Sequence, residues 1–79
     1  MQYYSSAVLM NGNNLEKDGP FVKVTALANS DVKIESSVIE GSIVGGSAVT
    51  FTMKANTTID GVHINKVTLD SGTVIAYRA

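Results

Sequence analysis

The segment from Val49 to Tyr77, VTFTMKANTTIDGVHINKVTLDSGTVIAY, decides the fold class because it carries the clearest periodic pattern of the chain. Val49, Phe51 and Met53 alternate there with polar residues. A period of two places apolar side chains on one face of a β-strand, whereas a helix would repeat them every three or four residues. The pattern therefore predicts a half-buried strand at the start of the segment.

Two glycine motifs divide the remainder of this segment. Asp60-Gly61 and Asp70-Ser71-Gly72 each lie between apolar-containing runs. Such motifs favour tight turns because glycine readily adopts the positive φ that these turns require. We therefore predict turns at both positions and a closing strand over Thr73–Tyr77.

The phase of the apolar residues changes between the two predicted turns. Val62 and Ile64 share one phase, and Val67 and Leu69 share the other. A one-residue slip of this kind indicates a β-bulge or a change of strand. We place it near Asn65-Lys66.

The first half of the chain contains further strand and loop patterns. Phe21–Ala28 and Asp31–Glu35 are predicted strands, and the second should bury Val32 and Ile34. Clusters of Gly, Asn, Pro and charged residues favour loops. The predicted loops are Asn11–Asn14 and Leu15–Pro20, and Gly41–Ser47 is expected to be a flexible connection.

These patterns together predict an all-β protein. We expect a small antiparallel β-sandwich or barrel-like domain of about six short strands, completed by oligomerisation. Residues 1–14 would form an N-terminal arm, or an edge strand and loop, and residues 15–79 a single β domain. Apolar residues in both phases of the C-terminal half suggest that other subunits cover part of it.

The residue inventory argues against catalysis and against metal or cofactor binding. The chain has no Cys, and its single His63 has no predicted partners. Asp31 and Glu35 fall on one strand face about 13 Å apart, which is too far for a glycosidase pair. The Gly41–Ser47 segment lacks the Gly-Lys-Ser/Thr ending of a phosphate-binding loop. We expect no enzyme activity, no cofactor and no metal.

Charge and hydropathy exclude further classes. The net charge is −1, with acids and bases interspersed, which is unlike a nucleic-acid-binding surface. No apolar run approaches membrane-spanning length, and the N-terminus lacks a signal-peptide pattern. The expectation is a protein made in a cytoplasm, with no nucleic-acid or membrane partner.

The C-terminal third of the chain is similar to a known group of proteins. TTIDGV at residues 57–62, followed by VTLDSGTVIAYR at residues 67–78, resembles the ending of small virion proteins of tailed bacteriophages. The resemblance implies a structural protein on the capsid exterior, either a decoration (cement) protein or a head-fibre protein. It also implies a homotrimer, because that group occupies capsid sites of local threefold character. Its partners would be other copies of itself and the major capsid protein, and its location the virion after synthesis in the host cytoplasm.

Two sets of residues are predicted to make these contacts. The first, on the C-terminal strands, would form the oligomer interface: Val62, Ile64, Val67, Leu69, Ile75 and Tyr77. The second would belong to an N-terminal arm, Met1–Met10, that contacts the capsid or a neighbouring subunit: Tyr3, Tyr4, Val8 and Leu9. The alternative function is a small carbohydrate-binding or adhesion β-module, which would need exposed aromatic side chains beside polar groups.

Overall fold

The computed structural model describes residues 4–79 and is all-β, as predicted. Within these residues there is no helix, and so none of the length and hydropathy of a membrane span. The strands are antiparallel, and the main sheet has the order β1–β6–β2–β5. The strands are β1 (Ser6–Ala26), β2 (Ser30–Glu35), β3 (Ile43–Val44), β4 (Ser47–Ala48), β5 (Thr50–Met53) and β6 (Thr58–Arg78).

The two long strands bend so strongly that each contributes to the main sheet more than once. Residues 6–18 of β1 pair with residues 66–78 of β6. Further along β1, Val24 lies opposite both Ala76, near the end of β6, and Ile59, near its start. Because the end of β1 is held between two parts of β6, the sheet rolls up like a barrel. This is the barrel-like alternative of the predicted fold.

The shorter strands complete the structure. β2 pairs with the middle of β6 on one side and with β5 on the other. β3 and β4 form a separate small hairpin around Gly45 and Gly46, which have φ of 61° and 82°. Two successive positive φ values are those of a type I′ hairpin turn. This turn lies in the glycine-rich Gly41–Ser47 connection, and its two short strands were not predicted from the sequence.

The side of strand β6 that faces the core changes twice along the strand, between even-numbered and odd-numbered residues. Ile64 is buried in the first part of the strand, Val67 and Leu69 in the second, and Val74 and Ala76 in the third. The first change of phase coincides with a register shift, since Asp18 pairs with Lys66 but Phe21 pairs with Ile64. The bulge predicted near Asn65-Lys66 is confirmed.

The core lies between the rolled-up segments. Val32 and Ile34 are buried as predicted, 0% and 2% exposed. The two buried polar residues, Ser30 and Ser36, both have hydrogen-bond partners. The buried apolar residues are Met10, Phe21, Val24, Ala26, Val32, Ile34, Met53, Ile64, Val67, Leu69, Val74 and Ala76.

Several predicted loops and turns are instead parts of long strands. Asn11–Asn14 and Leu15–Pro20 lie within β1, and Asp60-Gly61 and Asp70–Gly72 lie within β6. Gly61 and Gly72 do adopt positive φ, 74° and 111°. Gly72 bends the strand without reversing it, because it stays paired with Gly12 of β1. At Gly61 the pairing with β1 is interrupted and resumes at Lys23–Asp60. The prediction that all strands are short was consequently wrong for β1 and β6.

Candidate interaction face

The residues considered for chemistry remain apart in the structure. Among residues 4–79, no group of three or more His, Asp or Glu side chains is placed to hold a metal ion. His63 is exposed, and its backbone carbonyl accepts a hydrogen bond from Ser36 Oγ at 2.5 Å. Asp31 accepts a hydrogen bond from Thr52 Oγ1 at 2.8 Å on the outside of the sheet. In the part of the chain that the structure describes, these groups do not form one site.

The residues predicted for the oligomer interface divide into two groups. Ile64, Val67 and Leu69 have no exposed surface in the single chain. Val62 is half-buried and packs against the same core. The sequence argument assumed that a strand with apolar residues in both phases needs a partner subunit, but β6 bends and turns both phases inward. Ile75 and Tyr77 are half-buried and lie on the opposite side of the sheet.

The structure brings these last two residues together with residues of the predicted arm. Leu9 lies directly opposite Ile75 in the register, and Tyr77 lies between Ala7 and Lys23. Directly opposed residues of an antiparallel pair project from the same face. We call this surface the outer face; it consists of Tyr4, Ala7, Leu9, Lys23, Thr25, Leu27, Thr58, Asp60, Ile75 and Tyr77.

The alternation of burial along the strands confirms which side is outward. Val8, Ala76, Val24 and Ile59 form the neighbouring cross-strand row. Ala76 and Val24 are completely buried, and the other two pack against the core. Since successive residues of a strand point to opposite faces, the row that contains Leu9 and Ile75 points to solvent. Leu9 is accordingly 62% exposed.

An aromatic and cationic cluster occupies one corner of the outer face. The ring centroids of Tyr4 and Tyr77 are 5.0 Å apart, with the planes tilted by 42°. Lys23 Nζ lies 5.5 Å from the Tyr4 centroid and 5.2 Å from that of Tyr77. Cation–π attraction operates at these distances and stabilises such contacts by about 0.5–1 kcal/mol at exposed sites. The cluster orders two tyrosines that are both half-buried.

Arg78 closes the adjacent end of the barrel. Its guanidinium carbon lies 4.9 Å from the centroid of the buried Phe21 ring. The same side chain donates hydrogen bonds to the Asp18 carbonyl oxygen at 3.2 Å and to Ser6 Oγ at 3.5 Å. These contacts fix the end of β6 beside the bend of β1, so the outer face has a rigid support.

The remaining part of the outer face is aliphatic and hydroxyl-bearing. Thr25 and Thr58 are hydrogen-bonded through their hydroxyls at 3.1 Å, next to Ile75. Leu27 is 50% exposed, and its backbone N–H donates to the Thr73 carbonyl oxygen. Tyrosine and apolar residues with a thin polar border are typical of protein–protein interfaces. The outer face is therefore suited to bind another protein surface.

A second apolar surface lies between β5 and the first residues of β6, beside the loop that follows β2. A groove of about 330 Å³ opens there, and the β3–β4 hairpin beside it exposes Ile43 and Val44. Val38, in the preceding loop, is 60% exposed. The groove is lined by Ile34, Ile39, Glu40, Gly41, Ser42, Val49, Phe51 and Ile59.

Sequence reasoning missed parts of both surfaces. Lys23 was not singled out, because its proximity to Tyr4 and Tyr77 depends on pairing between distant strands. The β3–β4 hairpin had a signal, since Gly45-Gly46 between apolar residues fits a two-residue hairpin turn. Of the predicted arm, Tyr4 and Leu9 lie on the outer face and Val8 packs against the core, whereas Tyr3 lies outside the described residues.

Comparisons with protein-family models, with curated proteins and with solved structures give no match.

Proposed function

We propose that this protein is a structural component of a tailed-bacteriophage virion, a decoration (cement) or head-fibre protein on the capsid exterior. The observation that carries the proposal is the outer face, where Ile75 and Tyr77 of the phage-like C-terminal segment meet Tyr4 and Leu9. A protein of this kind needs no chemistry. It needs a rigid module whose exposed surface binds other protein copies.

The geometry supports such a role in physical terms. Tyrosines contribute large contact areas at a low cost in side-chain entropy, and Lys23 already restricts two of them. The outer face belongs to a sheet that Arg78 and the core hold in place. Weak contacts of one such face add up when several copies are joined in one oligomer, because the first bound copy raises the effective concentration of the others at the capsid.

The proposed assembly is a homotrimer that binds the major capsid protein. Ile75 and Tyr77 would contribute to its subunit interface and Leu9 to its contact with the capsid, because all three are accessible in the single chain. Ile64, Val67 and Leu69 would act indirectly, as the core that supports this face. The protein would be made in the host cytoplasm and would function on the virion, without a cofactor, nucleic acid or membrane as partner.

Particles purified from the phage lysate, or from the induced lysogen, that carries the gene provide the test. We expect mass spectrometry to detect this chain in density-purified particles and immunogold labelling to place it on their outer surface. A Tyr77→Ala variant should occupy fewer particle sites than the wild type, while His63→Ala, which changes an exposed residue outside the outer face, should bind normally. Particles that lack the chain altogether would refute the proposal.

A carbohydrate-binding module is the second candidate, and the Tyr4–Tyr77 pair favours it. Two aromatic rings beside Thr25 and Asp60 resemble the residue types that bind sugars. Against it, Lys23 lies over both rings, and a sugar would have to displace it. A glycan array should therefore give no specific signal. A signal that disappears in Tyr77→Ala would support this candidate over the virion protein.

A further inference from the structure

The outer side of β1 is an open sheet edge. Residues 6–18 pair with β6 on one side, and no described residue pairs with their other side. The backbone N–H and C=O groups that point to that side are available for another strand. The other edges of the main sheet are partly covered, because Ser36 Oγ donates to the His63 carbonyl oxygen and the Val49 N–H, beside β5, donates to the Ser42 carbonyl oxygen.

The two halves of this edge differ in chemistry. Its far part contains Glu16, Lys17 and Asp18, and charged side chains of this kind prevent edge-to-edge pairing. Residues 6–14 contain no charge and no proline. Asn14, which has φ of 55°, lies between the two parts and has no partner residue in the β1–β6 register. The protective features are therefore confined to one half, and Ser6–Asn11 remains a suitable template for a strand.

We infer that Ala7–Asn11 pairs with the same segment of a second copy of this chain, antiparallel and about a twofold axis at Leu9. This register places Leu9 opposite the partner copy's equivalent residue, on the outer face. It also places Val8 opposite Met10, whose side chains both point to the core side. Ala7 lies opposite Asn11, so no charged residue faces another.

The occupant is a second copy because the edge is complementary to itself. Leu9 is 62% exposed and ends the cross-strand row Thr58–Thr25–Ile75–Leu9. Twofold pairing continues this row into the same row of the second copy and covers the leucine. It also occupies both open edges at once, so the contact is closed and does not propagate into fibres. The inference does not depend on the proposed virion function.

The test is the mass and amide exchange of the full chain from micromolar to submillimolar concentration. We expect the weight-average mass of the wild type to reach twice that of Leu9→Lys at high concentration, whatever other oligomer each forms. Val38→Lys, which charges a similarly accessible apolar residue outside the outer face and away from the edge, should behave as the wild type. Alternate amides of Ala7–Asn11 should exchange about tenfold more slowly when nine-tenths of the chains are paired, because exchange then requires opening of the pair.

Three outcomes would overturn the inference. The first is equal mass for the wild type and Leu9→Lys at every concentration, with no slowing of exchange in Ala7–Asn11. The second is loss of pairing in Val38→Lys as well as in Leu9→Lys. The third is concentration-dependent protection that appears in another strand, such as β5. Detection or absence of the chain in virions would affect none of these results.

Discussion

Replacing Gly72 by alanine should destabilise the protein severely, for two separate reasons. Gly72 has φ of 111°, a region that side-chain-bearing residues rarely adopt. An added Cβ would also overlap Ser30 Oγ and would lie 2.8 Å from the Asn29 carbonyl oxygen. Backbone strain of this kind costs about 1–3 kcal/mol. Forcing extra atoms into a packed site costs about 1–3 kcal/mol more, so the expected loss is about 4 kcal/mol.

This loss is large against the stability of so small a protein. About 0.05–0.15 kcal/mol per residue gives roughly 4–12 kcal/mol for the 79 residues. Urea denaturation followed by far-UV circular dichroism measures the change. With a slope of about 1 kcal/mol per M, the midpoint should fall by about 4 M. A wild-type stability at the lower end of the range, about 4 kcal/mol, would leave the variant unfolded in buffer.

Gly61→Ala is the matched control. Gly61 also has positive φ, 74°, but an added Cβ there meets no atom within 4 Å. Only the backbone cost remains, about 1–2 kcal/mol. If Gly72→Ala loses no more stability than Gly61→Ala, the close approach of Gly72 to Ser30 is energetically irrelevant and the reasoning is refuted.

Four further substitutions test the core and the surface by the same urea assay. Leu69→Asp should prevent folding, because it places a charge at a site with no exposed surface. Ile75→Asp should keep a native β spectrum, because Ile75 lies on the outer face. Equal loss of the β spectrum in both variants would contradict the assignment of the two residues to opposite faces. Phe21→Ala should cost about 3–5 kcal/mol, and a loss below about 1 kcal/mol would mean that this ring is not a core element. Lys33→Ala removes an ion pair of 3.4 Å with Asp70 between partly exposed side chains. The free energy of unfolding should fall by at most about 1 kcal/mol, and by less in high salt. A large, salt-independent fall would argue for another role of Lys33.

Local sequence patterns were sufficient for the fold class and for several strands. Val32 and Ile34 alternate with polar residues, and β2 buries both of them. The phase change between Ile64 and Val67 marked a true bulge. Both features depend only on the two-residue period of a strand, which is independent of the partner strand.

Features that depend on pairing between distant segments could not be predicted in this way. Gly61 and Gly72 have the backbone conformation that the turn motifs indicate. Whether such a residue reverses a strand or bends it depends on the neighbouring strand, and here β1 accompanies β6 through the bend at Gly72. The same limitation misassigned Leu69: a strand with two apolar phases needs no second subunit when it curls around its own core.

The sequence singled out individual residues of the outer face but did not show that they form one surface. Ile75 and Tyr77 were assigned to one interface, and Tyr4 and Leu9 to another. These residues lie on one surface because the register of β1 and β6 places Leu9 opposite Ile75. No local pattern specifies this register, because the pair joins the two ends of the chain.

The pairing of β1 with β6 also determines when the chain can fold during synthesis. Ser6 and Arg78, which lie opposite each other, are separated by 72 positions in the sequence. Contacts between such distant residues form slowly, since a long loop has to close before they are made. Of the main sheet, only the β2–β5 pair can form before β6 leaves the ribosome. Until then β1 lacks β6, its partner strand among the described residues, and its apolar side chains such as Val24 remain uncovered.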